Sequence, residues 1–356
     1  MRDWNKTLRK NRVQRISKKR RLLLLFFICL LSLAVGAGAG SVPISPADVL
    51  AILGNRLFSL PLPEQISANQ VSILWNLRLP RCLCAFLVGG ALAASGTVMQ
   101  SVLRNPLASS YTLGVSSGAS LGAALVIVSG FALPAVGFLT LPLTGFVFGL
   151  GTVFAVIAFA SRMDRGLQNQ TIILTGMVFS LFVNALLTLL SVLEQNYMQQ
   201  LILWQMGSFS GRSWEEAGIL FVVLFAGVLY LCLFSGQMDM MTFGEEAAQT
   251  MGVDTKRGKR KLIVAASLLT GTAVCFTGTI GFIDLIAPHV ARKVFGPAHR
   301  YALPVSVLFG GAFMVLADLA ARTVLSPTEL PVGAVTALIG APFFAWVYFK
   351  GRRAEA

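Results

Sequence analysis

Long uncharged runs separated by short polar connections organise this chain. They recur at residues 22–40, 82–103, 166–193, 217–238, 262–283, 301–317 and 330–349. Between Arg104 and Arg162 no charge appears over 57 positions. A bilayer-crossing helix needs roughly 20 apolar residues, so that gap alone holds two spans and a turn. The pattern predicts an all-α, polytopic membrane protein with about ten transmembrane helices. One of the ten is awkward. Residues 281–291 are too short for a full span and carry Asp284 and Pro288, which predicts a short, broken helix covered by other protein. Residues 46–60, apolar but interrupted by Asp48 and Arg56, predict a surface helix leading to Arg78.

Composition agrees with the pattern. Of 356 residues, 55% are hydrophobic and 12% charged, against roughly 25% charged in a soluble domain. The net charge of +14 does not point to nucleic acid, because it is unevenly placed. Ten of the 29 Lys and Arg fall in a tail at residues 1–21, directly ahead of the first apolar run. Such a tail belongs beside the anionic inner leaflet of the cell membrane. The small residues Ala37 to Ser41 would suit a signal-peptidase site, but a chain with many later spans needs no cleavage and the first span is expected to stay. With the amino terminus inside, alternation leaves only Arg56, Arg78, Arg81, Arg212 and Arg322 outside. Both termini are then cytoplasmic.

Chemistry is sparse. The five cysteines lie in apolar runs and the histidines are only His289 and His299, which offers no metal-ligand spacing. Glycines four apart, such as Gly118 and Gly122 or Gly145 and Gly149, read as close helix packing in lipid. No Gly-x-x-x-x-Gly-Lys-Ser/Thr phosphate loop is present, nor a set of acid, base and nucleophile. The chain is expected to be a transport subunit rather than an enzyme, with ATP and Mg bound by a separate ATPase and no cofactor of its own. The segment at about 239–261 stands out. Within it Gly244, Glu245, Glu246, Ala247, Ala248, Met251 and Gly252 outline a short helix with acids in its first turn and glycine at its end. Ala247, Ala248 and Met251 would give it a small apolar face suited to a groove on a soluble partner.

Seven motifs occur in order: Arg78-Leu79-Pro80-Arg81, Gly96 with Met99-Gln100, Asn105-Pro106-Leu107-Ala108, Leu113-Gly114-Val115-Ser116 with Gly118, Gly281-Phe282-Ile283 with Pro288-His289, Ala317-Asp318 with Arg322, and Glu329-Leu330-Pro331 with Gly333. On these the chain resembles the permeases of type II ABC importers for iron siderophores, heme and vitamin B12, over residues 44–352. The resemblance implies a permease domain at 22–353, acting as a homodimer or with a paralogous permease. Two ATPase subunits would sit below it, and an extracellular or periplasmic binding protein would dock above. It assigns Arg78, Arg81 and Arg322 to meet carboxylates of that binding protein, and the 244–252 helix to couple to the ATPase. Asp284 departs from the family pattern, where glycine is usual. It is expected to pair with His289 or Arg292, or to face a water-filled vestibule. His289 is expected to position its helix, and Asp318 to pair with Arg322 four residues on. A ferric siderophore is the favoured cargo, with heme or cobalamin as alternatives. Two other classes remain: an ion-coupled secondary transporter using Asp284 and Asp318, and a membrane receptor that does not transport.

Overall fold

The computed structural model describes the backbone of residues 2–40, 42–134, 137–164 and 166–353, with side chains from 18 to 346 within these. Ser41, Arg165, and the side chains of the first part of the basic tail and of Lys350, Arg352 and Arg353 lie outside the described residues. The elements run α1 (Arg2–Gly38), α2 (Pro46–Phe58), α3 (Ala68–Ser72), a π-helical turn (Ile73–Arg78), α4 (Leu79–Val102), α5 (Val115–Ser129), α6 (Gly137–Met163) and α7 (Asn169–Leu193). There follow α8 (Met198–Met206), α9 (Trp214–Leu233), α10 (Ser235–Met241), α11 (Glu245–Thr250), α12 (Thr255–Thr277), α13 (Ile283–Phe295), α14 (His299–Thr323) and α15 (Val332–Arg353). Short 3-10 turns at Ser110–Leu113 and Gln195–Tyr197 complete the described elements.

Seven of the described helices are long and apolar enough to cross a membrane. The shorter apolar α5, the apolar part of α15 and the half-length α13 bring the described spans to the expected ten. Helix α1 runs unbroken from the basic tail into the first span.

Burial sorts the spans into a centre and a periphery. The α3–α4 span is 89% buried, whereas α1, α7 and α9 are 28% buried. All are apolar, so hydrophobicity does not decide which goes inside; in lipid, close approach of small residues does. On α4 and α14, Gly89 and Gly310 meet backbone to backbone, and a Cβ on either would overlap the other helix. The glycine pairs of α5 and α6 face one another: Gly118 and Gly122 lie against the carbonyls of Phe148 and Thr144, and Gly149 against that of Val115. They are packing glycines, as expected.

The broken element is α13. Pro288 lies inside it and has no N–H to offer the carbonyl of Asp284 one turn earlier. Gln100 of α4 fills that vacancy, its Nε2 donating to the carbonyls of Asp284 and Leu285, each at 3.4 Å. Gly96, one turn before Gln100, has no side chain to hold the helices apart. Gly96, Gln100 and Pro288 thus form one joint, which covers the interrupted backbone as the membrane interior demands.

Candidate functional site

The bundle has two chemically distinct ends. One, the basic end, gathers Lys18, Arg21, Arg104, Arg260, Arg292 and the α10–α11 segment. Arg21 donates to the Val294 carbonyl at 2.7 Å and Lys18 lies over the Tyr301 ring. The other end holds Arg78, Arg81, Arg212 and Arg322.

At that second end the three arginines expected to dock a partner are turned inward. The π-helical turn aims Arg78 at the end of α1, where it donates to the carbonyls of Gly38 at 2.7 Å and Val42 at 2.5 Å, and to that of Ala37. Arg322, near the end of α14, donates to the carbonyls of Ala39 at 2.8 Å and Gly36. The last carbonyls of a helix lack partners and carry the negative end of its dipole. Two buried guanidiniums therefore cap α1 and fasten it to α4 and α14. Arg81 is 12% exposed and is shared between two acids: Asp318, with Nε at 3.0 Å and Nη2 at 2.9 Å, and Glu329, with Nη1 at 2.8 Å. The expected Asp318–Arg322 pair is present at 3.5 Å, but Arg81 is the closer partner. In the chain alone, all three are engaged by groups of the bundle itself. Arg78→Ala is expected to cost about 2–3 kcal/mol, read as a lower melting midpoint in detergent with no binding protein present.

Glu329 sits in the connection before α15, where the Arg81 hydrogen bond holds its carboxyl below the usual carboxylate range. A depressed value stabilises the fold above the ordinary Glu pKa of about 4.3 and fades only as pH falls below it. The latch is therefore closed at neutral pH. Among the described residues of this end, Arg56 is the exposed arginine, its guanidinium 5.9 Å over the Trp75 ring.

Between the ends lies Asp284, buried in the first turn of α13. Its partner is neither His289 nor Arg292. Ser109 Oγ, from the loop after α4, donates to Asp284 Oδ2. Arg292 is engaged elsewhere, donating to Gln100 Oε1 at 2.6 Å and to the Thr97 carbonyl at 3.2 Å. His289, the residue after Pro288, is half-buried. A neighbouring hydroxyl chain links Thr270 to Ser95 at 2.7 Å and Ser95 to Ser110 at 2.5 Å, crossing from α12 through α4 to the same loop.

At the basic end the expected short helix is α11, six residues opened by Gly244. It closes in a Schellman arrangement: Gly252 N donates to the Gln249 carbonyl at 2.9 Å and Val253 N to that of Ala248 at 3.0 Å. Gly252 has φ of 85°, which a side chain would strain. The expected apolar face is only partly right. Ala248 is buried against the bundle and Ala247 is half-buried, while Met251 is exposed. The apolar groups offered outward are Met251 and, more fully, Phe243, which is 76% exposed. Glu246 is exposed, and Glu245 is tied down by Lys259 at 2.5 Å. Beside Phe243 a cavity of about 560 Å³ opens between Arg104, Asp239, Arg292 and His299.

The chain is similar to known transport proteins over nearly its whole length. The family described as the FecCD transport family matches residues 23–350. The uncharacterized ABC transporter permease YvrB of Bacillus subtilis is 39% identical over 331 residues, covering 92% of this chain and 93% of that protein. The cobalamin import permease BtuC of Halobacterium salinarum is 38% identical over 314 residues, covering 88% and 81%. A solved ABC transporter described as of metal-chelate type, in an inward-facing conformation, superposes with a TM-score of 0.81 at 30% identity, covering 93% of this chain and 99% of that one.

Proposed function

The chain belongs to the FecCD transport family, and from that premise we propose that it forms the membrane path for a metal chelate driven by a separate ATPase. The observation that carries the proposal is the exposed Phe243–Gly252 surface. It presents the Phe243 ring, Met251 and Glu246 to solvent at the end of the bundle richest in Lys and Arg, while Glu245 is turned back to Lys259. By the positive-inside rule that end faces the cytoplasm, where an ATPase would meet it. A binding protein would then deliver cargo at the opposite end, where exposed Arg56 is better placed than the latched arginines to meet an acidic surface. A second copy of the chain, or a paralogue, would pair with it across the weakly buried spans. Asp318 is held by Arg81, so an ion-coupled mechanism finds no free intramembrane acid there.

Within metal chelates, a ferric siderophore is the first cargo to test. The experiment reconstitutes this chain in nanodiscs with its candidate ATPase and binding protein. Phe243→Asp and Gly252→Arg are each expected to abolish ATPase association, and labelled ferric siderophore is expected to be transported in preference to hemin and cobalamin. An ATPase that never associates with the wild type would overturn the importer reading. Preferential transport of hemin or cobalamin would overturn only the siderophore assignment.

A further inference from the structure

Lys259 is the anomaly in the basic end. It is a lysine 1% exposed, on the first turns of α12, in a segment otherwise rich in solvated charge. Burying an ammonium is costly unless every direction it points in holds an acceptor, and here the acceptors are specific. Its Nζ donates to Glu245 Oε1 at 2.5 Å on α11 and to the Leu167 carbonyl at 2.9 Å. Leu167 lies in the turn from α6 to α7, with an unusual φ of 54° and its side chain buried. Asp164 stiffens that turn by accepting from the backbone N–H of Gly166 at 2.9 Å and of Gln168 at 2.7 Å. Through Lys259 the exposed helix α11 is fixed to the start of α12 and to a rigid turn that opens α7.

The other end of the same segment is fixed in a different place. Asp239 of α10 accepts from His299 twice at Oδ1, with the backbone N–H at 2.9 Å and the ring Nδ1 at 2.6 Å. The opposite ring nitrogen, Nε2, meets Ser101 Oγ at the end of α4, and Arg292 of α13 donates to that same oxygen at 3.3 Å. This second fastening therefore reaches α14, α4 and α13. The two fastenings flank residues 240–244, which include Phe243, and they lead to two different groups of spans.

We infer that Lys259 and His299 are positioning residues that pin the coupling segment to the bundle at two points, so that displacement of its exposed surface moves α7 and α12 relative to α4, α13 and α14. The inference rests on the ATPase-docking reading above and adds where the push is delivered. A surface segment held by apolar contact alone could slide on the bundle; one held by directed, desolvated bonds carries displacement in both directions. Both pins lie behind the docking surface, so their loss should spare docking and impair transmission.

The test uses the complete importer in nanodiscs and reads three quantities: ATPase association, ATP hydrolysed, and chelate transported per ATP. Glu245→Ala removes the first pin at a partly exposed position, Asp239→Ala removes the second, and Lys259→Met removes the first from its buried side. Glu245→Gln keeps an acceptor for Lys259 and serves as the conservative rescue. Glu245→Ala and Asp239→Ala are expected to keep ATPase association while chelate transported per ATP falls about tenfold, with Glu245→Gln near wild type. A structural role alone would lower folded yield and leave the ratio of transport to hydrolysis unchanged in the protein that folds; that result would overturn the inference. Loss of association in Glu245→Ala would also overturn it, by making Glu245 a docking residue. Failure of the wild type to bind any ATPase would overturn the docking reading itself, a result distinct from both.

Discussion

Asp318→Asn is expected to cost about 3–5 kcal/mol of stability, read as a large fall in melting midpoint and in folded yield from detergent. Asp318 is 1% exposed and stands between two guanidiniums, accepting from Arg81 at 2.9 Å and lying 3.5 Å from that of Arg322. The amide would keep the shape and remove the charge. Two buried cations would then face each other with one fewer anion, and an uncompensated buried charge is the costly outcome when a buried pair is broken. Glu329→Gln is the control. It binds the same Arg81 but is 42% exposed, so water compensates and the expected cost is under about 1 kcal/mol. Equal small shifts in both variants would mean that Arg81 and Arg322 find solvent, and the account of an inward-turned arginine cluster would fail.

That cluster also shows where sequence reading stops. The gap without charge between Arg104 and Arg162, the run of basic residues before Leu22, and the half-span around Pro288 were legible because lipid acts on each stretch of chain separately. A span must be apolar wherever it lies, and a broken one must be covered. The roles of Arg78 and Arg322 were not legible in the same way. A lone arginine at the end of an apolar run reads as a rim charge, and nothing near it in sequence announces that α1 ends with unpartnered carbonyls at Gly36 to Gly38. The acceptors lie 40 residues from Arg78 and 286 from Arg322. Asp284 failed for the same reason, since Ser109 is 175 residues away. In α11 the difficulty was length. Six residues make less than two turns, too few for the spacing of Ala247, Ala248 and Met251 to say which side meets the bundle.

Gly96→Ala is expected to unfold or misassemble the bundle, although it adds a single methyl group to a helix. A Cβ at Gly96 would overlap the Asp284 carbonyl and crowd the Asp284 Cα, which are backbone atoms and cannot rotate away. The α4–α13 joint would have to open, withdrawing Gln100 from the carbonyl that Pro288 leaves unpaired. Overpacking alone costs about 1–3 kcal/mol, and an unpaired buried carbonyl adds roughly 1–3 kcal/mol. Gly151→Ala on α6 supplies the comparison, because nothing beyond the helix's own neighbouring backbone lies within 4 Å of the position a Cβ would take. There alanine should be neutral or stabilise by about 0.5–1 kcal/mol through helix propensity. The same chemical change in two spans thus separates backbone approach from propensity. Folded yield and melting midpoint in detergent measure both, and a Gly96→Ala protein as stable as Gly151→Ala would show that α13 does not seat against α4 at this point.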